Sequence, residues 1–316
     1  MIATHKLLHA VVLAEHRNFR RAAENLNLTQ PALTRSIQSL ERALDVRLFD
    51  RSHGSVGLTA FGELVVRRAQ EILLDISELE QEIDLIRGID RGTLDVSLGP
   101  YPSALSGQRA VAKFLTGHPE IHCRVRVASF SNVAEDVGRG HSDIGIADLE
   151  PAAALGLATE KLVQRPMYFV ARRGHPLLKR PHCSLSDLLD FPWAAIRFPA
   201  RAGRRLPRDV GRAGYWDRAS GEFVPALEVD QVSTILDLAG DSDILAATTL
   251  TMLEDKLHSG KLSVVPFAES WLGLNYGFIA RPNRTLSPAA LGFMNVVREI
   301  EAELSERELL LRDEYL

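Results

Sequence analysis

Four polar side chains that can hydrogen bond recur between residues 30 and 38: Gln30, Thr34, Arg35 and Gln38. Their spacing places them along one face of a helix. Amide, hydroxyl and guanidinium groups can bond base edges and phosphates of duplex DNA, whose major groove is wide enough to admit a helix. The pattern therefore predicts a helix that reads DNA.

The elements around this helix are those of a helix-turn-helix. Apolar residues at helical spacing form the face opposite the polar set, namely Leu33, Ile37, Leu40 and Leu44. Thr29 is a suitable N-cap, and Pro31 falls in the first turn, where its missing N–H costs nothing. The apolar face of a preceding helix consists of Phe19, Ala22, Ala23 and Leu26. The pair Asn27-Leu28 separates the two helices.

The same segment resembles the N-terminal domain of the LysR-type transcriptional regulators. The residues that carry the resemblance are Ala22-Ala23, Leu26, Thr29 to Thr34, Ile37, Leu40-Glu41, Leu48-Phe49, Arg51 and Leu58 to Gly62. The resemblance implies a winged helix-turn-helix DNA-binding domain over residues 1–60. It also implies that Pro31 lies beside the base-reading residues and that Arg51 contacts the DNA backbone. Asp45 stands where the family usually has Gly, and the wing from His53 to Gly57 lacks the arginines commonly found there.

A single long helix is predicted over residues 61–89. Its apolar residues are spaced alternately by four and three, which is the heptad pattern of a coiled coil: Val65, Ala69, Ile72, Ile76, Leu79, Ile83 and Ile86. We expect this seam to pair with a second subunit, and the alternative is that it packs on its own domain. The family resemblance implies a homodimer, or a homotetramer built as a dimer of dimers.

Beyond residue 92, short apolar strands alternate with helices. Strands are predicted at 94–98, 121–127, 144–147, 167–171, 193–196 and 274–280, and helices at 103–116, 131–139 and 287–304. This α/β alternation favours parallel sheets covered by helices. The resemblance implies an effector-binding regulatory domain over residues 90–316 with two periplasmic-binding-protein-like lobes. We expect lobe I at 90–164 and 269–300, and lobe II at 165–268.

A small-molecule effector is expected to bind between the lobes. In open α/β sheets, ligands bind beyond the carboxyl ends of strands, where helix N-termini present N–H groups. This rule and the resemblance select Tyr101, Ser103, Ser129, Phe130, Ser131, Arg197, Pro199, Arg201 and Thr248. Ser103 is also a candidate N-cap, and helix capping is the alternative role for each Ser and Thr in this set.

A series of arginines in lobe II predicts that the effector is an anion, such as a carboxylate. Its members are Arg197, Arg201, Arg204, Arg205, Arg208, Arg212 and Arg218. Guanidinium forks bind carboxylates and phosphates bidentately. Arg197 or Arg201 is the predicted partner of the anion, and a solvated basic loop is the alternative for the later arginines.

Composition and charge fit this organisation. The 316 residues, 46% of them hydrophobic, exceed one ordinary domain. The net charge is −4, yet residues 1–60 carry eight basic and five acidic side chains, which suits double-stranded DNA as a partner. No apolar run approaches 18 residues and no secretion signal is recognisable, so we expect no membrane association and a cytoplasmic location. RNA polymerase is a further candidate partner.

Two other functions stay open from the sequence alone. Cys123 and Cys183 are too few for a disulfide framework, but His182 could lower the pKa of the Cys183 thiol, which would suit a thiol-redox-responsive regulator. The other alternative is a solute-binding module without transcriptional action, against which the helix-turn-helix argues. The sequence has no recognised catalytic motif, and its ten histidines show no metal-ligand spacing. We therefore expect no enzymatic activity, no cofactor and no metal.

Overall fold

The computed structural model describes residues 2–50, 56–87, 92–196 and 200–316. The chain divides into two compact units, Met1–Ile89 and Asp90–Leu316. Three residues of the predicted sites, Arg51, Arg197 and Pro199, lie outside the described residues. The side chains of Ile86 and Arg201 are likewise not described.

The first unit is a helical domain with a two-stranded wing. Its elements are α1 (Thr4–His16), α2 (Phe19–Asn25), α3 (Gln30–Leu44), the antiparallel strands β1 (Phe49–Asp50) and β2 (Gly57–Leu58), and α4 (Ala60–Arg87). Helices α2 and α3 form the predicted helix-turn-helix. The Thr29 hydroxyl accepts a hydrogen bond from the N–H of Ala32 at 3.4 Å and so caps α3. Asp45 ends α3 with φ 54°, in the left-handed region that Asp tolerates.

The core of this unit lies between α1, α2 and α3. Leu33, Ile37 and Leu40 of α3 are fully buried, as are Ala22 and Leu13 from the two preceding helices. Burial of a leucine or isoleucine side chain contributes about 1.5–3 kcal/mol. The apolar face of α3 is therefore fixed against its neighbours, and the polar face points outward.

The backbone of one residue, Leu48, joins the end of α3 to the start of α4. The Glu41 carboxylate accepts hydrogen bonds from the N–H groups of Leu48 at 2.9 Å and Phe49 at 3.3 Å. The carbonyl oxygen of Leu48 accepts from the N–H of Thr59 at 3.0 Å. A Cβ atom at Gly62 would lie 2.0 Å from that same oxygen, so only glycine allows α4 to approach this closely.

The predicted dimerisation seam of α4 divides into two parts. Ala69 is buried and Val65 packs beside it, both within the core of the first unit. The alternative interpretation, packing on the same domain, therefore applies to these two residues. Ile72, Leu79 and Ile83 are 44%, 56% and 39% exposed. Pairing through these exposed residues and the half-buried Ile76 stays a prediction.

The second unit begins with the strands and helices of lobe I. They are β3 (Gly92–Leu98), α5 (Pro100–Pro102), a π-helical turn (Ser103–Gly107), α6 (Gln108–Gly117), β4 (Ile121–Val127), α7 (Phe130–Gly138), β5 (Ile144–Ala147), α8 (Leu149–Ala154) and β6 (Ala158–Lys161). The chain then crosses to lobe II through the short strand β7 (Arg165–Pro166).

Lobe II has the same alternation and an added hairpin. Its elements are β8 (Tyr168–Arg172), a 3-10 turn (Pro176–Lys179), α9 (Leu185–Leu189), β9 (Trp193–Ala195), α10 (Ala200–Gly203), the hairpin β10 (Gly214–Trp216) and β11 (Phe223–Pro225), β12 (Leu227–Glu228), α11 (Val232–Asp241), β13 (Leu245–Thr248), α12 (Leu250–His258) and β14 (Leu262–Val264). Strand β15 (Gly273–Leu274) pairs with β7 where the chain returns. Strand β16 (Gly277–Ala280) and the long helix α13 (Pro288–Tyr315) complete lobe I.

Both sheets are mixed, which corrects the expectation of parallel sheets. Each has five strands, in the orders β4-β3-β5-β16-β6 and β12-β9-β13-β8-β14. Strand β16 runs antiparallel to β5, and β8 runs antiparallel to β13. Both exceptions adjoin the crossing segments, because a strand that enters a lobe from the other lobe runs against the parallel set. The α/β fold class with two lobes is confirmed.

Three other element predictions are corrected. The helix predicted from 103 begins at Pro100 with Gly99 as N-cap, so Ser103 lies inside a continuous helical run and is not its cap. The strand predicted over 274–280 is two strands, β15 and β16. The helix predicted over 287–304 continues to Tyr315.

Candidate functional sites

Helix α3 presents a polar surface to solvent. Gln30, Pro31, Arg35 and Gln38 are exposed, and Thr34 is half-buried at the edge of the same face. The structure therefore brings together every predicted DNA-binding residue that it describes. Their shared face has the hydrogen-bonding groups and the cation that a DNA-reading helix needs.

Helix α1 fixes the orientation of α3, which the sequence pattern did not reveal. Lys6 Nζ donates to Ser39 Oγ at 2.8 Å, and His9 Nδ1 lies 2.7 Å from Ser36 Oγ. Burial, with a smaller contribution from His5, lowers the pKa of His9. A neutral His9 can then share a hydrogen bond with the Ser36 hydroxyl and tie the two helices together.

A cavity of about 90 Å³ lies between the two lobes of the second unit. Its larger lining side chains are aromatic or aliphatic: Tyr101, Phe130, Met167, Phe169, Trp193, Trp271, Leu272, Leu274 and Tyr276. Among the described lining residues, Asp148 bears a charge, and its carboxylate also accepts the N–H of Glu150 at 3.1 Å as the cap of α8. A space lined in this way favours a ligand with an apolar body.

The predicted effector residues fall into two groups. Tyr101 and Phe130 line the cavity. Ser129 accepts a hydrogen bond from the N–H of Asn132 at 3.3 Å and so caps α7, which is the alternative role given for it above. Ser131 is half-buried in the first turn of that helix. Ser103 and Thr248 are buried, and neither belongs to the described lining.

Most of the residues that line the cavity were not predicted from the sequence. Trp193, Trp271, Phe169 and Tyr276 form much of the wall. Phe169 lies on β8 and Trp193 on β9, the two strands on either side of the central strand β13. Trp271 and Tyr276 flank β15, and the sequence did not show that this strand crosses between lobes.

Two contacts close the lobes over this cavity. The hydroxyl of Tyr101, on lobe I, donates to the carbonyl oxygen of Ala247 on lobe II at 3.1 Å. Burial raises the pKa of the Tyr101 hydroxyl, so the group remains a donor. Arg204, a member of the arginine series in lobe II, forms an ion pair with Glu150 of α8 in lobe I, with 3.7 Å between Nη2 and Oε1.

A buried polar cluster lies where the chain crosses between the lobes. Arg165 Nη2 donates to Glu301 Oε2 at 2.7 Å, and the hydroxyl of Tyr276 donates to the same carboxylate at 2.7 Å. Each of these three residues is only 1% exposed. Burial alone would lower the pKa of Arg165, but its hydrogen bonds to Glu301 and Tyr276 outweigh that effect and raise it. The cluster therefore holds a charged pair in the interior.

Both cysteines are poor candidates for redox sensing. Cys183 is 5% exposed and its thiol donates to the carbonyl oxygen of Leu177 at 3.6 Å. Burial raises the pKa of Cys183, which is opposite to the lowering expected from His182, and burial also raises the pKa of Cys123. A raised pKa leaves less of the reactive thiolate.

None of the helices in the described part of the chain has both the length and the apolarity needed to cross a bilayer. Within the same residues, no three side chains of His, Cys, Asp or Glu converge as potential metal ligands.

Comparisons with known proteins cover almost the whole chain. Residues 5–63 match the family described as "Bacterial regulatory helix-turn-helix protein, lysR family", and residues 87–301 match "LysR substrate binding domain". The "SDS degradation transcriptional activation protein" of a Pseudomonas species is 32% identical over 94% of this chain and 96% of its own length. The regulator GbpR of Azospirillum brasilense is 29% identical over 89% of this chain and 81% of its own.

Solved structures with the same fold include one regulator bound to its target DNA. Full-length CbnR in complex with its target DNA has a TM-score of 0.56 and 22% identity, covering 94% of this chain and 99% of its own. A full-length OxyR variant from Pseudomonas aeruginosa has a TM-score of 0.53 and 20% identity, covering 94% of this chain and all of its own. These likenesses concern the fold.

Proposed function

Because the chain belongs to the LysR family of DNA-binding transcriptional regulators, we propose that a small anion with an apolar body controls its action by binding between the two lobes. The observation that carries this proposal is the aromatic cavity between lobe I and lobe II, in a chain whose first unit exposes the polar face of α3. The protein would act in the cytoplasm as a homodimer or homotetramer, and RNA polymerase is a candidate partner at the promoter.

The DNA-binding half of the proposal rests on α3. In a dimer, two copies of this helix would engage two half-sites, with Gln30, Thr34, Arg35 and Gln38 at base edges and Pro31 beside them. Arg51 would contact a phosphate. Phosphate contacts position the protein, whereas base contacts select the sequence.

The effector half of the proposal combines two chemistries. The described cavity wall supplies apolar and aromatic contacts, which favour an alkyl or aryl body. The anionic group would be bound by Arg197 or Arg201, and Arg201 directly precedes the lining residue Ala202 in the sequence. The relative named for transcriptional activation of SDS degradation supports this class, since SDS is an anion with an alkyl tail.

The proposed mechanism is a shift between two arrangements of the lobes. An effector in the cavity would contact Tyr101 and compete with, or reinforce, the bond between its hydroxyl and Ala247. The change would reach the packing between subunits and alter the spacing of the two recognition helices. The shift can be no larger than the difference in effector affinity between the two arrangements.

Tryptophan emission offers a direct binding assay, because Trp193 and Trp271 both line the cavity. The full-length protein would be titrated with short alkyl sulfates, alkyl carboxylates and aromatic carboxylates, and with the alcohol of each body as a neutral control. A bound anion at about 100 times its Kd should stabilise the second unit by roughly 2.7 kcal/mol in a thermal-shift assay. Equal binding of the alcohols, or no response to any member, would refute the proposed class.

The arginine assignment has its own test. A variant with Arg197→Ala and Arg201→Ala should weaken anion binding at least tenfold, which corresponds to about 1.4 kcal/mol for a lost charge-assisted contact. The matched control replaces the exposed Arg208 and Arg212 with Ala. Equal affinity in the two double variants would assign the anion to another group.

A further inference from the structure

The C-terminal helix α13 contacts both lobes in turn. Phe293 and Val297, in its first half, are fully buried in the core of lobe I. Leu311, near its end, is fully buried in a lobe II cluster that includes Val170 and Leu253. Val297 and Leu311 lie fourteen positions apart, or two heptads, and therefore project from one face of the helix. A single helical face thus passes from one lobe to the other.

Glu308 forms the main polar contact of this second half. Its Oε1 accepts the N–H of Leu250 and its Oε2 accepts the N–H of Thr251, both at 3.0 Å. These N–H groups begin α12, whose own cap residue Thr249 makes no side-chain capping bond. A carboxylate at a helix N-terminus bonds unsatisfied N–H groups and matches the positive end of the helix dipole. The first turn of α12 therefore depends on a residue from the far end of the chain.

Two more contacts join the same elements. Arg307 forms an ion pair with Glu254, and His258 Nε2 lies 3.6 Å from Glu314 Oε1. Residues 308–315, here termed the C-terminal clasp, thus contact α12 near both of its ends. The helix predicted over 287–304 ends before this segment.

The clasp is also connected to the cavity. Glu301 lies seven positions before Glu308 on the same face of α13 and accepts the hydroxyl of Tyr276, which lines the cavity. Glu301 also pairs with Arg165 on the crossing strand β7. One face of α13 therefore carries the Glu301 carboxylate beside the crossing strand β7 and, two turns later, the Glu308 carboxylate at the N-terminus of α12.

We propose that the C-terminal clasp sets the angle between the two lobes, and that Tyr276 connects the cavity to it through Glu301. Because the clasp is attached to lobe I through α13 and to lobe II through Glu308 and Leu311, the lobes cannot rotate about β7 and β15 while it is docked. Undocking frees that rotation. The clasp is independent of the effector's identity, whereas the role of Tyr276 rests on the proposed function.

The test compares full-length Glu308→Ala and the shape-preserving Glu308→Gln with Glu306→Gln, an equal loss of charge at an exposed position two residues away. Hydrogen exchange at Leu250 and Thr251 reports on the cap, because these first-turn amides have no partner within their own helix. Exchange should be roughly fivefold faster or more in the Glu308 variants and unchanged in the control. Amides that stay protected in both Glu308 variants would overturn the proposal.

The angle between the lobes is followed in the same variants by double electron–electron resonance, which measures the distance between two spin labels. Spin labels are placed at the exposed Ala153→Cys on lobe I and Lys179→Cys on lobe II, with Cys123 and Cys183 replaced and labelled subunits diluted with unlabelled ones. Glu308→Ala should shift the distance distribution by about 2 Å or more, or broaden it by as much. An unchanged distribution despite faster amide exchange would show that the clasp does not set the angle.

Tyr276→Phe tests the connection to the cavity. It removes the hydroxyl that bonds Glu301 and leaves the aromatic wall in place. We expect a change in the inter-lobe distances in the same direction as for Glu308→Ala, with tryptophan emission showing that the second unit remains folded. If the Glu308 variants respond and Tyr276→Phe does not, the clasp stands and its connection to the cavity is refuted. A failure of the proposed effector class would appear separately, in the ligand titrations.

Discussion

Replacement of Glu301 by Ala is expected to destabilise the second unit by about 3 kcal/mol. The substitution removes the carboxylate that accepts Arg165 Nη2 and the Tyr276 hydroxyl, both at 2.7 Å, and leaves an arginine with 1% exposure without its counterion. Loss of one partner of a buried ion pair costs about 3–5 kcal/mol. The lower end applies here, because Arg165 Nη2 keeps the backbone oxygen of residue 301 at 2.9 Å and Ser305 Oγ at 3.3 Å.

The assay is urea unfolding of the full-length protein, followed by tryptophan emission. Trp193, Trp216 and Trp271 are the three tryptophans of the chain and all lie in the second unit, so emission reports on that unit even though a chain of two units need not unfold in one step. The matched control is Glu303→Ala, which removes a 55% exposed carboxylate from its pair with Arg109. That pair should contribute no more than about 1 kcal/mol.

A second comparison separates the charge from the space it occupies. Arg165→Met combined with Glu301→Leu removes both charges and retains much of the volume, so this double variant should be more stable than Glu301→Ala. If Glu301→Ala costs no more than Glu303→Ala, or if the double variant is the least stable of the set, the argument from an uncompensated buried charge is refuted.

Three further predictions concern other parts of the chain. Arg35→Ala should lose roughly 1–3 kcal/mol of discrimination between cognate and scrambled duplexes in a fluorescence-anisotropy titration, and unchanged discrimination would remove Arg35 from the base-reading set. Burial lowers the pKa of the fully buried His175, so the unfolded chain binds the proton before the folded chain does as the pH falls. The stability that this group contributes is therefore present above about pH 6.5, and it is lost as the pH falls from there through the lowered pKa. His175→Asn, which keeps an acceptor for the N–H of Leu177, should flatten that part of a urea-midpoint profile, and an unaltered slope would assign it to another group. Leu79→Lys should weaken self-association in sedimentation velocity more than Glu71→Lys does, and equal association of the two variants would place the subunit contact elsewhere.

The sequence predicted the DNA-binding unit well because its determinants are local. Thr29 caps α3 through a residue three positions away, and the apolar residues Leu33 and Ile37 share one face of a single helix. Asp45 adopts the left-handed backbone at the turn. Each of these features depends on neighbours in the chain, which sequence spacing makes visible.

The determinants of the second unit are mostly not local. Glu301 and Glu308 resemble the exposed acids of a helical tail, yet their partners Arg165 and Leu250 lie 136 and 58 residues away. The cavity wall was not predicted for the same reason, since Trp193 and Trp271 are far apart in the sequence and line one cavity only in the folded chain. Strand and helix periodicities, of two and of about 3.6 residues, relate only nearby positions, so they do not predict contacts between distant parts of the chain.

The backbone of Leu48 has a mechanical consequence for the first unit. Its N–H is held by Glu41 of α3, its carbonyl is held by Thr59 at the start of α4, and Gly62 leaves no gap between them. Helices α3 and α4 are thus connected directly through the backbone of one residue. A rotation of α4 about its own axis would therefore be transmitted to α3 through the Leu48 backbone.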